Sequence, residues 1–199
     1  MVYCTTYAEV KIYKRMIVLF LTLVPHISLL AMLTVGYGMV WLFPALFLIH
    51  DLEEIVGLKS WIERNGKVVG ERFPRFAPMF RGYTTERMVK AVAEEYALCL
   101  LLTALASTGK LPMQLIWYGA FVAYTFHLVV HIIQSVVLRM YVPAVATSVL
   151  LLPVSLWLMY ELYYVFGISL PDSVLYCILG FALVVINLFL VQPGRRNNG

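Results

Sequence analysis

Charge is scarce in this chain. Only 13% of its 199 residues are charged, where a soluble globular domain carries about a quarter. That shortage excludes a soluble globular enzyme and a disordered chain together. Cysteine is nearly absent: Cys4, Cys99 and Cys177 stand far apart, which excludes a disulfide framework and a thiolate zinc knuckle. No internal repeat is evident. What the sequence has in excess is apolar surface, with 62% hydrophobic residues. The formal net charge of +4 therefore reads as membrane topology, and no nucleic-acid partner is expected.

Six apolar runs approach the roughly 20 residues that a membrane-spanning helix needs. They lie at 16–35, 37–58, 87–108, 113–138, 142–166 and 172–191. Gly36-Tyr37-Gly38, Gly109-Lys110-Leu111-Pro112 and the stretch 167–171 supply turn chemistry between them. Run 16–35 follows Lys11, Lys14 and Arg15 and is long enough to span rather than serve as a cleaved signal. The spacing predicts an all-α, polytopic membrane helix bundle of about six transmembrane helices, a single domain over 1–199 with a cytoplasmic loop at 59–86. In that arrangement every Lys and Arg except Lys110 lies on one side. Both termini are then expected in the cytoplasm and the chain in a cell membrane, with lipid as its surroundings.

Ionisable groups inside the runs carry the functional information, because each costs about 2.5–3.5 kcal/mol near a helix centre. His50, Glu53 and Glu54 occupy one run, Glu94 and Glu95 the next, and His127 and His131 the one after. At a rise of about 1.5 Å per residue these groups lie roughly 6–16 Å from the cytoplasmic helix ends. They form one layer. Positions three and four apart share a helix face, so His50 projects with Glu53 and Glu54, and His127 with His131. Asp51 is expected to point elsewhere, toward the interface. Glu94 stands one turn from Lys90 and has it as an alternative partner. His26, alone beside Pro25, is expected to bridge helices by hydrogen bonding.

Four ionised glutamates in low dielectric need compensation, and one or two divalent cations supply it while the imidazoles stay neutral. Carboxylate and imidazole ligands between bundle helices are typical of zinc, iron or manganese sites. The expected ligands are His50, Glu53, Glu54, Glu94, Glu95, His127 and His131; the competing reading has protonated glutamates hydrogen-bonded across helices. The leading function is an intramembrane metal-dependent enzyme acting on a lipid or other apolar substrate. Its chemistry is either hydrolysis, with Glu53 or Glu94 as general base, or di-iron redox chemistry. A proton- or metal-ion-coupled transporter, or a metal-stabilised membrane protein without catalysis, is the alternative. Gln134, Arg139 and Tyr141 are expected to support the site or touch substrate. Trp61, Phe73, Phe76, Phe80 and Tyr83 are interleaved with basic residues, as in an interfacial loop or a lid. Cys99, one turn from Glu95, reads as an inert buried thiol.

The run His50-Asp51-Leu52-Glu53-Glu54 resembles the signature of the HXXEE family of small prokaryotic membrane proteins. The similarity continues through Ala93-Glu94-Glu95, the stretch His127-Leu128-Val129-Val130-His131, Arg139-Met140-Tyr141-Val142-Pro143 and Thr147. The resemblance implies a membrane fold and a His/Glu cluster, but no particular reaction. It also implies a glycine near position 144, where this chain has Ala144. Membrane desaturases and alkane hydroxylases need far more histidines than the four present. The Glu-Glu pairs are similar to those of glutamate-type prenyl-protein endopeptidases, by analogy only.

Overall fold

Five α-helices account for most of the residues that the structure, a computed structural model, describes: 38–74 and 83–191. After a 3-10 turn at Gly38–Trp41 come α1 (Leu42–Arg72), α2 (Thr85–Ala106), α3 (Leu111–Leu138), α4 (Val145–Val165) and α5 (Leu170–Val191). The all-α expectation is met, and there is no strand among the described residues. Run 16–35, with His26, lies outside the described residues, as do both termini. Among the described residues, two helices, α3 and α4, are long and apolar enough to cross a membrane.

Helix α1 departs most from expectation. The helix continues past Leu58 to Arg72 as one element of 31 residues, about 46 Å at about 1.5 Å per residue. The segment 59–72 therefore belongs to a helix and not to a loop. Nothing in it stops a helix: Gly66 and Gly70 cost only about 1 kcal/mol each relative to alanine, and there is no proline before Pro74. Packing stabilises the extension, since Trp61 and Val69 are buried against Val142. The Trp61 indole Nε1 donates to the Tyr141 carbonyl at 2.6 Å.

Local chemistry sets the other boundaries. The Thr84 hydroxyl caps α2 by accepting from the Arg87 amide at 3.2 Å. Gly109 has φ +75° and Pro112 sits in the first turn of α3, so one residue ends a helix and the other starts the next. Gly167, at φ +62°, closes α4. Ser169 and Asp172 then hydrogen-bond to each other at the head of α5.

Helix α3 is the centre of the bundle, packed against α5, α4 and α2. Gly119 and Gly180 let α3 and α5 touch backbone to backbone: a Cβ at Gly119 would overlap the Tyr176 carbonyl, and one at Gly180 the Gly119 backbone. Close contact through small residues is how helices pack where no water drives them together. Phe43 meets Trp117 and Phe121 edge-on, at 5.5 and 5.1 Å between ring centres. This aromatic core lies one to two turns from the ionisable residues of α1 and α3 and fixes their register.

Candidate metal centre

His50 and Glu54 stand one turn apart on α1, and His127 and His131 one turn apart on α3. Where the two helices meet, each residue offers one ligand atom, and all four atoms lie within 4.8 Å of one another. The Nε2 atoms of His127 and His131 are 3.0 Å apart. Two nitrogens bound at about 2.0–2.1 Å to one ion are separated by about 3 Å, so this spacing suits a shared cation. The His50 ring stands edge-on to both, at 5.2 and 5.0 Å between centres.

The tautomer of His50 follows from its neighbours. Its Nδ1 lies 3.2 Å from the Thr147 hydroxyl, and that hydroxyl spends its single proton on the Ala144 carbonyl, at 3.2 Å. Thr147 must therefore accept from Nδ1–H, which leaves a lone pair on Nε2. Nε2 is buried and has no hydrogen-bond partner. An orphaned buried acceptor costs about 1–3 kcal/mol, and a metal ion removes that cost. Three imidazoles and one carboxylate are a donor set suited to zinc, iron or manganese. The residues present fit a cation.

Glu53 has a different task from the one its spacing suggested. Helix α4 begins just after Ala144, which has φ +70° and forms no side-chain cap. The Val145 amide is satisfied by the Val142 carbonyl, leaving Ala146 and Thr147 as the orphaned donors of the first turn. Glu53, reaching across from α1, accepts both: Oε1 from the Ala146 amide at 3.3 Å and Oε2 from the Thr147 amide at 2.7 Å. Tyr141 Oη also donates to Oε1. With both oxygens engaged, Glu53 is a cap supplied in trans and stands outside the ligand group. The positive φ of Ala144 also accounts for the glycine implied there, since an L residue costs about 1–2 kcal/mol in that region.

The remaining expected residues divide. Glu95 lines a cavity of about 90 Å³ between α1, α2 and α3, together with Asp51, Tyr124 and His127. Glu94, expected as ligand or base, is exposed and lies outside the ligand group, because it points about 100° away from Glu95 around α2. Gln134 and Arg139 are exposed. Arg139 ends α3 in the left-handed conformation, at φ +54°. Tyr141 reaches the site through Glu53.

Asp51 corrects the reading most clearly: it is 5% exposed and faces the cavity, not the interface. Its spacing carried the signal, for Asp51 and Glu54 are three residues apart, as are Tyr124 and His127. Tyr83, just before α2, comes close enough to Glu54 to feel its charge. Burial first, and that charge second, push the Tyr83 phenol above its ordinary value.

No curated protein and no solved structure matches the chain. A family model does, described as a protein of unknown function with HXXEE motif, over residues 41–158. That span runs from the head of α1 into α4, so it includes His50, Glu53, Glu54, His127, His131 and Thr147. Motif, capping acid and imidazole pair thus fall within one matched stretch, and the chain belongs to the HXXEE family.

Proposed function

We propose that this chain is an intramembrane metal-dependent enzyme whose centre is built by His50, Glu54, His127 and His131. The observation that carries the reading is the convergence of four ligand atoms within 4.8 Å around the orphaned Nε2 of His50. In this reading the bundle has six spans with both termini in the cytoplasm, and the centre lies in the cytoplasmic half of a prokaryotic cell membrane. The distribution of Lys and Arg supports that orientation.

A bound cation would lower the pKa of a coordinated water for hydrolysis or, as iron, support redox chemistry. The chain's own contributions are clearer. Thr147 orients His50, Glu53 holds Thr147, and the cavity beside His127 receives the substrate. Phe43, Phe47, Leu98 and Leu102 line that cavity, which favours a lipid or another molecule with an apolar chain. A carrier would need a relay of ionisable groups continuing into the outer half of the bilayer, and the expected runs place only Glu161 and Asp172 there, near the run ends and not as a relay.

The test is metal analysis of the purified protein beside the variants His127→Ala and His131→Ala. Retained zinc, iron or manganese in the wild type, lost in both variants, supports the centre. Incubation with membrane lipid extract, read by mass spectrometry, should then reveal a product that forms only with the metal-loaded wild type. Protein that stays metal-free after loading refutes the proposal. Flux into proteoliposomes abolished by the same substitutions, with no lipid product, replaces it with transport.

A further inference from the structure

One stripe of α3 runs from the four-ligand centre back toward the head of that helix. Ile116, Ala120, Tyr124 and His127 follow one another at one-turn spacing and so share a face. Ala120, Tyr124 and His127 all line the cavity beside the centre, and Ile116 and Ala120 line a second, larger hollow. That hollow is a groove of about 510 Å³ between α2 and α5, both of which pack on α3. Leu98, Ala120 and Leu183 border both spaces, so cavity and groove adjoin.

Two observations select the class of occupant. The groove is apolar, walled by Leu98, Ile116, Leu179 and Ile186, and it opens on the side of the bundle, where Leu179 and Ile186 are exposed. Its volume falls within the roughly 300–1,000 Å³ of small-molecule pockets. At its inner end stands a donor without an acceptor. Tyr124 Oη is buried and has no hydrogen-bond partner among the described residues, and the residue is only 5% exposed. Phe43 and Phe121 pack on the Tyr124 ring, at 5.4 and 5.9 Å between centres, which holds the hydroxyl at the cavity. A buried hydroxyl left unpaired is costly, and a carbonyl oxygen, which accepts without donating, removes that cost.

We propose that cavity and groove together form the site of a long-chain acyl compound, its hydrocarbon chain lying in the groove and its carbonyl oxygen accepting from Tyr124 Oη. The proposal rests on the reading of the centre as that of an enzyme for apolar substrates, and it names the substrate class. The acyl carbon then stands beside His127, one turn from Tyr124. From Ala120, where the groove meets the cavity, to His127 is about 10 Å along α3, so the chain has a short path to the centre. Asp51 Oδ2, also buried without a partner, borders the same cavity, and water serves it there, since one molecule needs only about 10–15 Å³ of such space.

The probes are methyl palmitate, the ketone that replaces its ester oxygen by a methylene, palmitic acid and hexadecane. Their binding to the protein in detergent is read by native mass spectrometry, with metal content measured on the same samples. Wild type should bind the ketone, which cannot be hydrolysed, about 10-fold more tightly than hexadecane. Tyr124→Phe should remove that difference and leave hexadecane binding unchanged. Leu183→Trp fills the junction of groove and cavity and should lose binding of all four; Leu98→Trp serves instead if that variant does not fold, as judged by circular dichroism. Palmitic acid binding as tightly as the ketone identifies a free acid as the acyl compound, and ketone and methyl palmitate binding alone identify an ester. A ketone held equally by wild type and Tyr124→Phe overturns the proposal, as does wild type that binds no probe, and metal retained in those samples leaves the four-ligand centre intact. Selective ketone binding by wild type that holds no metal after loading refutes the centre and leaves the acyl site standing.

Discussion

Replacing Glu53 by glutamine separates a capping role from a catalytic one. The substitution preserves size and one carbonyl oxygen but removes the charge. Glutamine can still accept from Tyr141 and the Ala146 amide, but its NH₂ group would then face the Thr147 amide, a donor now bound at 2.7 Å. Bonds to a charged acceptor contribute about 1.5–3 kcal/mol, and a donor left buried costs a comparable amount. The lost favourable charge at the head of α4 adds about 0.3–1 kcal/mol. Together these give an expected destabilisation of about 2–4 kcal/mol, and a drop in Tm of about 4–16 °C for a chain of this size.

Metal affinity should fall as well, by about 10–100-fold, because Thr147 sets the ring of His50. The assay is thermal unfolding in detergent, followed by circular dichroism, with metal content measured on the same samples. A general base would behave differently: Glu53→Gln would abolish turnover while Tm and metal content stayed at the wild-type level. Wild-type stability in Glu53→Gln refutes the capping argument.

Three further outcomes follow from the same structure. Thr147→Val removes the acceptor for His50 Nδ1–H while keeping the side-chain shape, and should weaken metal binding about 10–100-fold with a smaller loss of Tm than Glu53→Gln. Gly180→Ala forces a methyl group into the Gly119 backbone; overpacking costs about 1–3 kcal/mol or more, and an unchanged Tm would contradict the backbone contact between α3 and α5. Acidification should release the metal, because protons compete for the imidazole nitrogens and carboxylates; dialysis at stepped pH followed by metal analysis should show monotonic loss as pH falls.

Element existence was legible along the chain because apolar runs and turn residues are local signals. Runs 87–108 and 113–138 correspond to α2 and α3 within a few residues. The extension of α1 through 59–72 was not legible, since its composition is that of a polar loop. Trp61 and Val69 packing on Val142, some 70–80 positions away, stabilise it. The two candidate ligands on α1 and the two on α3 share helix faces by one-turn spacing, and that spacing is local. Spacing could not divide Glu53 from Glu54, because both lie on the face that carries His50. The free amides of α4 claim Glu53 and leave Glu54 to the ligand group.

The sequence by itself determined an all-helical chain, poor in charge, with imidazoles and carboxylates gathered at a few positions on helix faces. Those properties depend on composition and on a period of about 3.6 residues, which need no partner to be read. The tertiary structure alone decided which acid joins the candidate ligand group, which caps a helix, and that Asp51 turns inward. Each of those roles depends on a donor or a cavity supplied by another helix, and on burial that leaves a polar atom no recourse to water.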